Sequence, residues 1–254
     1  MNLIISFGNF LFRWRDPLFS LFFLGSLYAL TIKSDFFLLK SFGGLEHDYF
    51  FSFLGLILIL KGLVFRTLVI GFIYIKRAGM RKQIHAEQLH KEGFFAHSRN
   101  PLYLGNLLII TGGVFSFNSY LHWFLILPFF YFVYYAIIKA EEDYLTKKFQ
   151  NEYLEYKKQV PMLILGNWKA FPSSFSNLRF SLKRALRIEH SVHSYVLFTF
   201  VLINIFKFHF RYDFSWESFL IKALLFTGGL ILFYQVLLFL LKKFRFLEDH
   251  EKPS

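Results

Sequence analysis

The chain has 254 residues, 55% hydrophobic and 22% aromatic, with a formal net charge of +12 at neutral pH. Its apolar residues come in uninterrupted blocks, which excludes an ordinary soluble domain. The absence of cysteine excludes structural disulfides, thiolate metal sites and a cysteine nucleophile.

Met1 to Leu11 lacks the basic start of a signal peptide, and no small-residue cleavage pattern follows the first apolar block, so that block reads as a retained helix. A helix crosses a bilayer with about 20 mostly apolar residues. Six segments are candidates: Pro17–Ile32, Phe50–Ile75, Pro101–Phe117, Tyr120–Ile138, Ser194–His209 and Phe219–Leu241. The expected fold is therefore all-α, a polytopic membrane helix bundle of about six transmembrane helices with cytoplasmic amphipathic helices. Asn118-Ser119 leaves almost no loop between the third and fourth spans, which predicts a tight antiparallel hairpin.

Charge placement gives a separate reading. With the N-terminus inside, 22 Lys and Arg residues lie on the inner side, and only Lys33, Lys40 and Arg211 lie in the opposite loops. That asymmetry is what the positive-inside rule predicts for six spans with both termini cytoplasmic. The basic residues flank apolar spans, so the partner is the bilayer with its anionic headgroups and not nucleic acid.

Between the fourth and fifth spans, Glu141, Glu142, Leu145, Phe149, Tyr153 and Tyr156 recur near a 3.6 period, predicting a helix over Lys139–Val160 that Pro161 ends. Asn177–Ile188 sets Leu178, Leu182 and Leu186 against Arg179, Lys183, Arg184 and Arg187, the pattern of a helix lying on the membrane surface. Four units follow: 1–49, an N-terminal helix and loop; 50–165, a membrane core; 166–191, a basic interfacial linker; and 192–254, a two-helix extension.

Chemistry concentrates at Arg99-Asn100-Pro101-Leu102-Tyr103-Leu104-Gly105, where the basic loop meets the third span and Pro101 takes the first helical position. Glu141-Glu142 follows at the cytoplasmic end of the fourth span. A hairpin returns both clusters to one membrane face, so an arginine and two carboxylates converge at the interface. Adjacent helical residues point about 100° apart, so one glutamate faces the site and the other faces away; which is which stays open. The planar fork of Arg99 suits a carboxylate, and Gly105 permits close helix approach. Lys61 and Arg66 lie inside the second span, where charge is costly. Arg66 reads as snorkelling or as a contact for an acidic acceptor or lipid phosphate, and Lys207 and Lys222 read as snorkelling.

Leu89 through Gly93-Phe94-Phe95 to Arg99-Asn100-Pro101-Leu102-Tyr103-Leu104-Gly105, the paired glutamates, and Glu152-Tyr153-Leu154-Glu155-Tyr156 ending in Val160-Pro161 resemble, in that order, the isoprenylcysteine carboxyl methyltransferases and their bacterial relatives. Phospholipid methyltransferases look like more distant members. The resemblance covers about residues 50–165 and implies an integral membrane methyltransferase using S-adenosylmethionine, with a lipophilic, prenylated or lipid acceptor and no metal. It implies Arg99 and Glu142 as the catalytic pair. Leu89, Gly93, Phe94, Phe95, Arg99, Asn100, Pro101, Tyr103, Gly105, Glu141 and Glu142 would enclose the cofactor, and Arg66, Tyr153 and Tyr156 would lie toward the acceptor. Three departures stand out: Asn100 replaces a histidine, Glu87 replaces another, although His85 and His90 lie close by, and Gln150 replaces a glycine.

Two rival readings remain. NADPH-dependent sterol reductases have a similar motif, but this chain has Leu102 and Asn106 where they carry Asn and Glu, and it has the Glu141-Glu142 pair. A non-enzymatic membrane protein is the other; the chain shows no internal repeat of the kind transporters carry.

Overall fold

The structure is a computed structural model that describes residues 3–32, 36–73, 86–166 and 171–243. The central basic stretch 74–85 with His85, the outer Lys33 and the tail from 244 lie outside the described residues. Among the described residues there are six α-helices: α1 Leu3–Thr31, α2 Leu45–Phe72, α3 Pro101–Phe117, α4 Leu127–Gln159, α5 Leu182–Phe206 and α6 Phe219–Lys243. A π-helical turn at His122–Ile126 leads into α4, and another at Lys207–Arg211 ends α5.

Four helical segments among the described residues are long and apolar enough to cross a membrane: Leu45–Phe72, His122–Gln159, Leu182–Arg211 and Phe219–Leu241. The 17 residues of α3 rise about 25 Å, short of a hydrocarbon core of about 30 Å. The expected first span, Pro17–Ile32, is part of a longer helix. α1 runs through Pro17 from Leu3 and carries Arg13, Arg15 and Asp16, so its apolar stretch is too short to count with the four.

Two further expectations are corrected. The helix of the fourth span does not end at Ile138 but runs on as α4 to Phe149, and Gln150, at φ 47° and ψ −121°, breaks its path before a second helical stretch continues to Gln159. The basic stretch 177–188 is not a separate surface helix, because residues 182–188 form the first turns of α5. There Ser181 caps the helix by accepting from the Arg184 amide at 3.2 Å, and Ala185 is buried.

Packing follows small residues. Gly55 and Gly62 on α2, and Gly105 and Gly112 on α3, lie seven residues apart, two turns along one helical face. The helices run antiparallel in contact there. A Cβ at Gly55 would sit 2.5 Å from the Gly112 carbonyl oxygen, and one at Gly62 would sit 2.7 Å from that of Gly105. α1 meets α4 in the same manner, with Gly8 against the Ala136 carbonyl and Leu11, Phe12, Val133 and Ile137 forming the core around them. The close partner of α3 is thus α2, and that of α4 is α1. The expected α3–α4 hairpin closes through its turn and through long side chains, such as Thr111 Oγ1 with the Tyr131 hydroxyl at 3.1 Å.

At the turn end of this bundle a polar cluster joins α2, α3 and α5. Asp48 is fully buried and accepts from Asn118 Nδ2, from Arg211 NH1 at 3.0 Å and from the Tyr212 hydroxyl at 2.7 Å. Lys207 does not snorkel. It is fully buried, and its Nζ donates to Ser52 Oγ, the Ser116 carbonyl at 2.8 Å and the Asp48 carbonyl. Lys222 is solvent-facing beside Glu217.

Candidate active site

The site forms at the other end, where α3 begins and α4 leaves the bundle. Pro101 starts α3, and the residues before it are strapped to the chain after α4. The Arg99 amide donates to the Pro161 carbonyl at 2.9 Å, Asn100 Nδ2 to Met162 at 3.0 Å and Ser98 Oγ to Leu163 at 3.0 Å. His97 is fully buried, with Nδ1 2.7 Å from the Gly166 carbonyl and Nε2 2.8 Å from Ser174 Oγ. Met162–Gly166 therefore acts as a girdle around the helix start, which fixes where Arg99 emerges.

Arg99 and Glu142 meet directly. Nε and NH2 donate to one oxygen, Oε1, at 2.9 and 2.7 Å, and NH1 donates to the carbonyls of Lys157 and Val160. The arginine is thus saturated from within the chain. Tyr153, next to Tyr156 in the core below, is itself buried. The other Glu142 oxygen, Oε2, is buried and accepts no hydrogen bond from the described residues. Lys157 Nζ at 3.3 Å and Lys139 Nζ at 3.8 Å balance its charge at longer range.

Glu141 points elsewhere and accepts from the Tyr103 hydroxyl at 2.6 Å. The 100° between successive helical positions has split the pair, with Glu142 toward Arg99 and Glu141 toward Tyr103 and Tyr134. Tyr156 donates to the Phe95 carbonyl at 2.7 Å, and Leu89 packs on Tyr153, Tyr156 and Val160. Tyr156 and Val160, with Lys91, Ala96, Glu152, Glu155 and Gln159, line a cleft of about 390 Å³. His90 borders Phe95, and burial lowers its pKa against the opposing pull of Glu92, so it is neutral near pH 7.

Other expected site residues lie apart from this cluster. Phe94 is buried among Phe65, Phe72, Phe171 and Phe175. Gly93, at φ 55°, adopts the left-handed conformation that glycine favours, and a Cβ there would meet Leu178 at 2.8 Å. Gly105 lies on the α2 contact, where a Cβ would come 2.6 Å from Arg66 Cγ. Arg66 does not snorkel either: Nε and NH2 each reach Glu189 at 2.8 Å, and NH1 reaches Asn106 at 2.6 Å.

For a cofactor such as S-adenosylmethionine, the acidic Glu152 and Glu155 on the cleft wall fit an ammonium group or ribose hydroxyls, whereas Glu142 Oε2 is buried and not on that wall. Arg99, with its donors engaged, has little left for the carboxylate tail.

The fold and this site define a helical protein built to sit in a membrane, with a buried arginine–carboxylate clasp at one lip. Residues 50–152, from α2 through the clasp and into the last turns of α4, match the phospholipid methyltransferase family. The match points to a membrane methyltransferase and is consistent with the resemblance carried by the Arg99–Gly105 and Glu141-Glu142 motifs. It leaves out α1, α5 and α6. No curated protein and no solved structure matches the chain.

Proposed function

We propose that the chain transfers a methyl group from S-adenosylmethionine to a lipophilic or membrane-associated acceptor, a carboxylate or an amine, in a membrane that both termini face from the cytoplasmic side. The observation that carries this reading is the Arg99–Glu142 clasp, inside the family-matched segment, beside a cleft whose wall runs on past it through Glu155, Tyr156, Gln159 and Val160. The cleft volume falls in the range of about 300–1,000 Å³ usual for small-molecule sites.

Bound S-adenosylmethionine supplies a methyl group on a sulfonium, open to in-line displacement. The protein's contribution is placement and exclusion of water. Arg99 fixes the Glu142 carboxylate by one oxygen, so the second, buried and not on the cleft wall, keeps a fixed direction toward any donor that reaches it. Arg99 also ties Lys157 and Val160 to the start of α3, which holds the cleft wall formed by Tyr156 and Val160. On the opposite side of α4, Glu141 orients the Tyr103 hydroxyl toward the lipid-embedded α1–α4 contact. That side suits an acceptor entering from the bilayer, while the cofactor enters from the aqueous cleft.

Equilibrium binding of radiolabelled S-adenosylmethionine and of NADPH to the purified protein in nanodiscs tests the reading. Saturable S-adenosylmethionine binding, weakened by Glu142→Gln, is expected. Saturable NADPH binding alone would replace it with a reductase, and binding of neither would leave a non-enzymatic membrane protein.

A further inference from the structure

A line of buried contacts leads from α5 into the site, and it begins outside the family-matched segment. Glu189 on α5 is 1% exposed and takes both Nε and NH2 of Arg66 at 2.8 Å. Arg66 NH1 donates to Asn106 Oδ1 at 2.6 Å, and Asn106 stands three residues, about one helical turn, beyond Tyr103 on α3. The Tyr134 ring stands edge-on to Tyr103 with centroids 5.4 Å apart, and Tyr103 donates to Glu141 at 2.6 Å. Arg66 belongs to α2, Asn106 and Tyr103 to α3, and Tyr134 and Glu141 to α4. The line therefore crosses every helix that frames the site.

An arginine inside a span is costly unless paired, and its donors turn to whatever acceptor is in reach. Within the segment 50–152, the acceptor that Arg66 has is the neutral Asn106. Glu189 takes two of its three nitrogens and leaves the third on Asn106, in one rotamer. The aliphatic stem of Arg66 then lies against Gly105, two residues along α3 from Tyr103. We propose that Glu189 is a positioning residue for methyl transfer, acting through Arg66 and Asn106 to hold Tyr134, Tyr103 and Glu141 in register. The C-terminal extension would then be a wall of the site and not an appendage. This inference rests on the methyltransferase reading above.

The test uses the full chain in nanodiscs made from the expression host's total lipid extract, with tritiated S-adenosylmethionine. Cofactor binding and single-turnover label transfer to extracted lipid are read separately. The double variant Arg66→Met/Glu189→Leu removes both charges and leaves no charge buried alone. It is expected to bind the cofactor within about threefold of the wild type and to transfer label about tenfold more slowly. Glu189→Gln keeps the size and one acceptor oxygen, and should lose about threefold in transfer with binding intact. Wild-type transfer rates in Glu189→Gln and in the double variant would make the pair a structural staple and overturn the proposal. Should the double variant fail to fold, Glu189→Gln alone decides. A wild-type protein that neither binds nor transfers would instead overturn the methyltransferase reading itself.

Discussion

Two nitrogens of Arg99 close on a single oxygen of Glu142, at 2.9 and 2.7 Å, and the second oxygen of that carboxylate lies buried with no hydrogen bond from the described residues. Under the proposed function this asymmetry would give the clasp two roles. One oxygen ties the start of α3 to α4, and the other is an acceptor oriented by the first. Because Arg99 also holds the Lys157 and Val160 carbonyls, a change at position 99 reaches three parts of the chain at once.

Arg99→Ala and Glu142→Ala should each abolish transfer while the protein still inserts into membranes and resists alkaline extraction. Glu142→Ala leaves the buried Arg99 without its carboxylate, at a cost of about 3–5 kcal/mol, and Arg99→Ala, which leaves Lys157 and Lys139 beside Glu142, costs less, so the melting temperature falls in both. Arg99→Lys keeps the charge and loses the fork, and is expected to lower transfer by at least about tenfold. Full activity in both alanine variants would remove the site assignment.

The glycine contacts give an ordered series. At Gly55, Gly62 and Gly112 an added Cβ meets a backbone carbonyl at 2.5–2.7 Å, so the α2–α3 pair must move apart. Each Gly→Ala change there should cost about 1–3 kcal/mol. Gly105→Ala meets first the flexible stem of Arg66 and should cost less. Gly113→Ala meets nothing within 4 Å and should be neutral or gain about 0.5–1 kcal/mol. Thermal midpoints in detergent check the order.

Gln150 sits at φ 47° and ψ −121°, a conformation that costs a non-glycine residue about 1–3 kcal/mol. Gln150→Gly should raise the melting temperature, by a net of about 1 kcal/mol after the entropy of the unfolded glycine is counted. Gln150→Val should lower it. A melting temperature unchanged in both would show that the kink carries no strain.

The far polar cluster should matter for stability and not for chemistry. Lys207→Met leaves the Asp48–Arg211 pair intact but strips three buried acceptors of their donor, at about 1–3 kcal/mol. Lys222→Met removes an exposed pair and should stay within about 0.5 kcal/mol. Thermal melts of the two lysine variants, run side by side, separate these outcomes.

What the sequence revealed and what it hid follow from the range of each interaction. The meeting of Arg99 with Glu142 was readable because a two-residue turn forces α3 and α4 to return to one face, and the 100° helical step separates Glu141 from Glu142. Long apolar blocks likewise exposed the helices. The partners of Arg66 and Lys207 were hidden, since Glu189 lies 123 residues from Arg66 and Asp48 lies 159 from Lys207. A lone charge in a span reads as snorkelling until the opposite charge on another helix is placed beside it. One signal was present: Glu189 is the sole acidic residue among the basic ones at 177–190, an odd choice for a surface-bound helix. Phe94 was unreadable for another reason, because among 38 phenylalanines no pattern separates a ring that stacks on a ligand from one packed in the core. At Gln150, the glycine usual in the resembled family was itself the signal of a left-handed backbone.

The most direct test follows the methyl group. Purified protein in nanodiscs of total lipid extract is incubated with methyl-tritiated S-adenosylmethionine, and the extracted lipids are separated and counted. Label in an extracted amphiphile, lost in Arg99→Ala and Glu142→Ala, is the predicted result. A wild-type protein that leaves every lipid fraction unlabelled, although folded and inserted, would contradict the account.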